Sequence, residues 1–413
     1  MKKHIFTVLV VSMALLLAWR ILVVGLGDHY ARKALLGNEK ATDTALLWNG
    51  KHPKALYLKG KSLVTTDPEQ AVKLLRQSIR LNPGDAAPMD VLARLLLKMG
   101  KQQQADEMMN LAVERMPASK RIRLSAAEYW VTRQQLPKAV ENWAAALELD
   151  NNLGKRIYPL LMRLAENDKA IGVFVPLVKS PPNWWDDFFE YLVRNTKRLD
   201  TVVNLATLRH STKVALSKRE RALLVERLQT DKQWPEAYLV WINGLSEKQR
   251  RYLGSVFDGG FETPPGNAGF GWNFPEDKSW IVRRKHTYGV EGEKGLHILY
   301  KGEDTPVHQV YQYLLLGEGE YLLQLKTRVD RLRISSGLHW VVRCVGEKGK
   351  LLGATLPLVG ASDWGSQQVK FKVPDALDCR GQILRLEISD SKSDRQIVKG
   401  EVWFDRLSIR KLP

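Results

Sequence analysis

The sequence holds only two cysteines, Cys344 and Cys379, and neither sits in a CxxC pair or a Cys/His cluster. That argues against a zinc site. There is no HExxH, no GxSxG, no phosphate-cradling GxxxxGK[ST] and no EF-hand loop. The eight histidines are scattered, with no metal-ligand spacing. Neighbouring carboxylates such as Asp186 and Asp187 do not face each other on a helix, so no acid–base pair of the kind glycoside hydrolysis needs stands out. The chain is therefore read as non-enzymatic. Dense Lys/Arg runs and nucleic-acid motifs are missing too, although the net charge is +18, so nucleic acid is not an expected partner. The excess is uneven: residues 1–253 carry +15 and residues 254–413 carry +3. The plain reading is a solvated basic face. Anionic phospholipid head groups or an acidic polymer are the alternatives.

What is present begins with a long apolar run. Ile5 to Leu26 is 22 residues broken only by Arg20, which matches the ~20 needed to span a bilayer. Arg20 lies toward one end and can snorkel to the interface. A cleaved signal peptide is the alternative, but no small-x-small cleavage site follows the run, so an uncleaved anchor is expected. Lys2 and Lys3 favour a cytoplasmic N-terminus, with Arg32 and Lys33 opposing that bias. The expected location is a bacterial inner membrane, crossed once, with the bulk periplasmic. Oxidising surroundings would let Cys344 and Cys379 form one disulfide. Two buried thiols are the alternative, and an inverted anchor with a reduced, cytoplasmic array would require them.

Between residues 52 and 151 the sequence repeats itself. Ala71, Ala105 and Ala139 stand 34 residues apart, as do Leu75, Met109 and Trp143, then Ser78, Ala112 and Ala146, then Pro83, Pro117 and Asn151. Small residues let two helices approach, the bulky one fills the gap, and the proline ends the second helix. Each unit has an apolar face that it can bury only against a neighbour. This pattern resembles a tetratricopeptide-repeat (TPR) array, although the tryptophan common early in that family's first helix is absent from all three units. The resemblance implies a concave groove that docks a protein partner, lined here by Asp90, Arg94, Lys98, Arg121 and Glu128. A solvated helix face is the other reading of these five. Ala41–Trp48 reads as an N-terminal cap. Beyond Asn151 the phase drifts: Ala170, Phe174 and Leu177 read as the second helix of a fourth unit, Val202–Leu208 as that of a fifth, and Arg219–Leu228 with Trp234–Trp241 as a last unit. The aromatic stretch Asn183–Tyr191 reads as core at a helix start, with an aromatic ligand platform as the alternative.

Near Gly254 helical periodicity gives way to alternation. Period-two runs at Leu296–Tyr300, Val310–Leu316, Tyr321–Val329, Leu338–Cys344, Gln368–Val373, Gln382–Ile388 and Glu401–Ile409 predict an antiparallel β-sandwich. Phe257-Asp-Gly-Gly-Phe-Glu262, Gly269-Phe-Gly-Trp272 and the closing Gly400-Glu-Val-Trp-Phe-Asp405 resemble a jelly-roll carbohydrate-binding module of the galactose-binding-like group. That resemblance implies sugar contacts. Aromatic faces suit pyranose rings and polar groups suit hydroxyls, which nominates Trp272, Trp280, Trp340, Gln312 and Arg328, with Trp364 and Arg343 as further candidates. Trp272 and Trp280 lie in a loop-rich stretch and are the better candidates for exposure, with a place in the core as the alternative for each candidate. The resemblance also implies a structural calcium ion held by Glu262 and Asp405. No other cofactor is expected.

The fold class read from the sequence is thus multidomain α and β. Residues 1–28 form a cytoplasmic tip and transmembrane anchor, 29–251 an all-α TPR-like solenoid, and 254–413 an antiparallel jelly-roll sandwich. Membrane-anchored arrays with such a sandwich resemble proteins of bacterial exopolysaccharide and O-antigen loci. The expected role is docking of a protein partner by the array and contact with a polysaccharide by the sandwich, in surface-polysaccharide assembly, export or regulation. A general scaffold for cell division or secretion, without glycan binding, is the alternative.

Overall fold

The computed structural model describes the chain apart from Met1, Glu39, Lys213, Glu347, Lys348 and residues 390–393; the side chains of residues 2–5 and 8 are also not described. The described chain divides into two compact units, Met1–Trp185 and Asp186–Pro413. In the first, α1 (Lys2–Leu35) is one helix of 34 residues. Its Leu9–Leu35 segment contains an 18-residue window of mean hydropathy 2.4 and is long and apolar enough to cross a membrane. There follow α2 (Lys40–Trp48), α3 (Pro53–Ser62), α4 (Pro68–Leu81), α5 (Ala87–Lys98), α6 (Gln102–Arg115), α7 (Lys120–Thr132) and α8 (Leu136–Leu149).

The 34-residue columns are where these helices meet. Ala71, Leu75, Ala105, Met109, Ala112, Ala139 and Ala146 are wholly buried, with Ser78 and Trp143 nearly so. Gly60 in α3 shows why the small position must stay small. A Cβ there would sit 3.0 Å from the Leu75 Cγ. Proline stands at the first position of α3 and α4 and the second of α8, where its missing N–H costs nothing.

After α9 (Gly154–Ala165) the repeat weakens. The expected second helix of a fourth unit is instead a 3₁₀ turn, Ile171–Phe174, followed by the five-residue α10 (Val175–Lys179). Gly172 and Pro176 interrupt the run that a full helix would need. In α11 (Trp185–Asn195), Trp185, Phe188 and Phe189 are buried, as is the preceding Trp184, so this aromatic stretch is core. Helices α12 (Leu199–Ser211), α13 (Lys218–Thr230), α14 (Trp234–Ile242) and α15 (Glu247–Arg250) complete the helical part.

The strands are β1 (Trp280–Lys285), β2 (Gly295–Pro306), β3 (His308–Leu314), β4 (Gly319–Arg333), β5 (Leu338–Cys344), β6 (Leu351–Ala354), β7 (Gly360–Val373), β8 (Gln382–Ile388) and β9 (Arg395–Lys411). They form a five-stranded sheet in the order β1-β2-β9-β4-β7 and a four-stranded sheet in the order β3-β8-β5-β6, with antiparallel neighbours. Two sheets face to face around one apolar core define a β-sandwich. Its core includes Trp272, Trp280, Tyr300, Trp340, Phe371 and Phe404. Cys344, ending β5, is disulfide-bonded to Cys379, which precedes β8.

The last helical pair belongs to the same compact unit as the sandwich and packs against it through aromatic rings. Trp234 lies 6.2 Å from Phe270 and 5.7 Å from Tyr313; Trp241 lies 5.1 Å from Phe257 and 5.7 Å from Phe270. Gly269 and Gly381 allow this approach, because a Cβ on either would collide with Trp241 or Trp234. The junction is therefore a packed aromatic interface.

Candidate functional site

The sandwich offers two outer faces. On the four-stranded sheet, β3 alternates. Val310, Gln312 and Leu314 turn into the core, while Tyr311 and Tyr313 are half-buried on the outside. Register places Tyr311 beside Arg385 of β8, with Val341 of β5 next, and Tyr313 beside Ile383 and then Arg343. Glu387 lies one pleat further along, only 3% exposed. Arg343 grips it with both arms, at 3.1 and 3.0 Å, and Arg385 Nε donates to the same carboxylate at 2.8 Å. Burial alone would raise the Glu387 pKa, but the two guanidiniums outweigh it and hold the carboxyl below its ordinary value.

Above the tyrosines runs α13. A groove of about 630 Å³ is lined by Tyr311, Tyr313, Asn273, Trp234, Glu226 and Gln229, among others. Burial raises the pKa of both tyrosines, so they stay neutral phenols that can donate or accept. The buried Nε2 of Gln229 has no hydrogen-bond partner among the described residues. A half-buried aromatic floor, a flanking Arg–Glu–Arg strip and an unmatched amide donor are the components that recognise a polyhydroxylated ring.

The outer face of the five-stranded sheet carries Arg328. Its guanidinium lies 4.6 Å from the Tyr288 ring centroid, 4.8 Å from Trp403 and 5.8 Å from Trp364. The Trp403 ring in turn stacks on His297 at 4.1 Å. Tyr288 is exposed and donates to Asp363 at 2.9 Å. The cation of this patch is already occupied by aromatic rings.

The residues nominated from sequence are distributed differently. Trp272, Trp280 and Trp340 are 3%, 5% and 0% exposed, so the core alternative holds for all three and the sugar-platform reading of them is corrected. Trp272 stacks near Phe261 and Trp340 and donates its indole N–H to the Asp258 carbonyl at 2.9 Å. Trp280 opens a strand that alternation did not reveal and donates to the Pro275 carbonyl. Gln312 is also buried: its amide clamps the Phe257 backbone, accepting from N at 2.8 Å and donating to O at 2.9 Å. These four side chains build the sandwich and have no open face for a sugar. Arg328 and Arg343 do reach the surface, on opposite sheets.

In the array, Asp90 is nearly buried. It accepts from Arg94 at 3.2 Å and from the Ser125 hydroxyl at 2.6 Å. Arg94 reaches Glu128 at 3.6 Å, and Arg156 reaches Glu128 at 2.9 Å. Three of the five groove candidates thus form a ladder between successive first helices, and Lys98 and Arg121 remain exposed.

Glu262 and Asp405 do come together. The Cβ position of Gly260 lies 3.7 Å from an Asp405 oxygen and 4.0 Å from a Glu262 oxygen. Asp405 is fully buried, and that burial, with the Glu262 charge nearby, pushes its pKa up to about 6. Backbone N–H groups of Glu291 and Arg406 already donate to it, and that of Glu293 donates to Glu262. A buried carboxylate beside a half-buried one suits a hard cation in donor chemistry, but among the described residues no group of three or more His, Cys, Asp or Glu side chains is assembled for a metal.

No family model matches the sequence, and no curated protein matches it. Several solved structures are similar to parts of it. A CBM4 structure matches 38% of this chain and 100% of its own, at 17% identity and a TM-score of 0.29. The CBM22-1 xylan-binding domain of Xyn10C from Paenibacillus barcinonensis matches 34% of this chain and 85% of its own, at 13% identity and a TM-score of 0.24. Yeast Tom70 matches 52% of this chain and 42% of its own, at 17% identity and a TM-score of 0.28.

Proposed function

We propose that this chain is a non-enzymatic, membrane-anchored envelope protein whose sandwich binds a glycan in the groove between β3 and α13. The observation that carries the reading is the tyrosine floor, Tyr311 and Tyr313, beside the Arg343–Glu387–Arg385 strip and below the unmatched Gln229 amide. The groove volume lies within the usual range for small-ligand sites. In this reading α1 crosses the inner membrane once, the N-terminus is cytoplasmic and the remainder periplasmic. The array docks a protein partner, with exposed Lys98 and Arg121 favouring an acidic segment. The process served is surface-polysaccharide assembly, export or regulation. Glu262 and Asp405 are proposed to hold a structural calcium ion. Its test is whether calcium raises, and a chelator lowers, the melting temperature.

The glycan reading is tested by screening full-length protein in nanodiscs against a glycan array, with Tyr311→Ala alongside. Saturable binding weakened about tenfold in the variant, equivalent to about 1.4 kcal/mol, supports it. The second reading is a scaffold of a cell-division or secretion complex without glycan binding. The observation favouring it is that α14 already covers part of the outer sheet through Trp234 and Tyr313. A folded protein that binds no glycan would select this second reading.

A further inference from the structure

Helix α1 does not stop where its apolar run ends. It continues to Leu35 and serves as the first helix of the array. Ala31 packs with Ala45 and Ala55 in one buried cluster. A Cβ at Gly27 would sit 3.0 Å from the Asn49 Cβ, and Asp28 accepts from or pairs with His52 Nε2 at 2.8 Å. As the α1 number falls from 31 to 27, the α2 partner rises from 45 to 49, so α2 runs back toward the membrane end of α1. The same logic applies one unit on. The Ser78 hydroxyl donates to the Pro53 carbonyl at 2.8 Å, and Gly60 meets Leu75, so α4 also descends toward that end.

The residues delivered to this end are unusual for a solvated edge. Leu47 is 85% exposed, and Trp48 and Leu81 are also exposed, with Lys51 and Arg80 beside them in sequence. At a rise of about 1.5 Å per residue, Trp48 lies within about 3 Å of the level of Leu26, the last residue of the apolar run. Tryptophan and leucine at that level, flanked by basic side chains, match the chemistry of the head-group layer of a bilayer.

We propose that the edge formed by Leu47, Trp48, Lys51, Arg80 and Leu81 is seated in the phospholipid head-group layer around α1, so that the first repeats rest on the bilayer surface. The inference depends on α1 crossing the membrane, and continuity with that helix names the bilayer as the occupant. Lys51 and Arg80 add a preference for anionic lipid. The basic balance of residues 1–253 agrees with this placement.

The test uses full-length protein with Cys344–Cys379 closed, reconstituted in nanodiscs of phosphatidylcholine and phosphatidylglycerol. Single nitroxide labels are placed through Leu47→Cys, Leu36→Cys and Leu15→Cys, and their depth is read from oxygen against nickel-chelate accessibility. Leu36 is equally exposed but lies about 13 Å from Gly27 along α1, so it serves as the aqueous control. The expected result is a Leu15 label deep in the acyl region, a Leu47 label at head-group depth and a Leu36 label in water. A deep Leu15 label with Leu47 as aqueous as Leu36 overturns the seated edge while leaving the spanning helix intact. An aqueous Leu15 label overturns both.

Discussion

The repeat array and the sandwich mark their cores in different ways. In residues 52–151 the small residues Ala71, Ala105 and Ala139, the larger Leu75, Met109 and Trp143, and the buried pairs Leu95 with Leu96 and Tyr129 with Trp130 all recur every 34 residues. In the sandwich the interior is built from large aromatic rings, Trp272, Trp280, Trp340 and Phe404, with no repeat to mark them. Stacked units of one design declare their buried faces by phase. Facing sheets declare only alternation, and alternation does not say which side faces in. The same residue type therefore means different things in the two regions. Tyr129 and Trp130 of the array stand 34 residues after Leu95 and Leu96 and are buried like them, whereas a tryptophan in the sandwich is indistinguishable in sequence from a sugar platform.

This contrast can be broken by substitution. The largest effect is expected at Trp340, wholly buried at the sandwich centre. Trp340→Ala should cost about 3–5 kcal/mol, lowering the calorimetric transition of the sandwich while that of the array stays in place. A common fall of both transitions would show that the two cores are not separate. Next is the disulfide. Cys344→Ser with Cys379→Ser should destabilise the same transition by about 2–4 kcal/mol, seen as a lower denaturant midpoint, and reductant should reproduce the loss in the parent protein.

A smaller and pH-dependent effect is expected from the Arg343–Glu387–Arg385 strip. The Glu387 pKa is depressed in the folded state. Its contribution is therefore fully present above the ordinary carboxylate value of about 4.3 and is lost as pH falls through the folded value. Glu387→Gln should lower the melting temperature at neutral pH, and the two melting curves should converge on acidification. Parallel curves down to low pH would remove the strip as a source of stability. In the array Asp106 behaves in the same direction. Burial would raise its pKa, but hydrogen bonds from Arg133 and Tyr129 outweigh that. Being more exposed, with 26% of its side chain in solvent, it should show a weaker version of the same convergence in Asp106→Asn. The smallest effect is expected from Lys98→Ala with Arg121→Ala. These are exposed, so array stability should change by no more than about 0.5 kcal/mol in denaturant titrations.

Much of the architecture was legible. The array's phase named Ala71, Leu75 and their equivalents as core, and period-two runs located seven of the nine strands. The strands missed have physical reasons. The first, Trp280–Lys285, ends in Arg-Arg-Lys, and the other, Leu351–Ala354, is four residues long, too short for alternation to register. The apolar spacing of Ala170, Phe174 and Leu177 persists without a full second helix, because Gly172 and Pro176 interrupt the run. The candidate site was less legible. Trp272 and Trp280 read as the better candidates for exposure because they lie in a loop-rich stretch. Instead that segment folds inward, and both indole N–H groups are satisfied by nearby backbone carbonyls. Tyr311 and Tyr313 were hidden within a strand whose face could be assigned only once Val310, Gln312 and Leu314 were seen inside. The α13 side chains above them, Glu226 and Gln229, come from residues more than 80 positions away in sequence, a proximity that only the fold creates.

The measurement that bears most directly on the glycan groove is a calorimetric titration of the best array glycan into full-length protein, Tyr311→Ala and Tyr288→Ala. The groove account predicts that Tyr311→Ala weakens binding about tenfold while Tyr288→Ala, in the β1–β2 loop beside the opposite sheet, retains it. Loss confined to Tyr288→Ala, or equal binding by all three proteins, would contradict it.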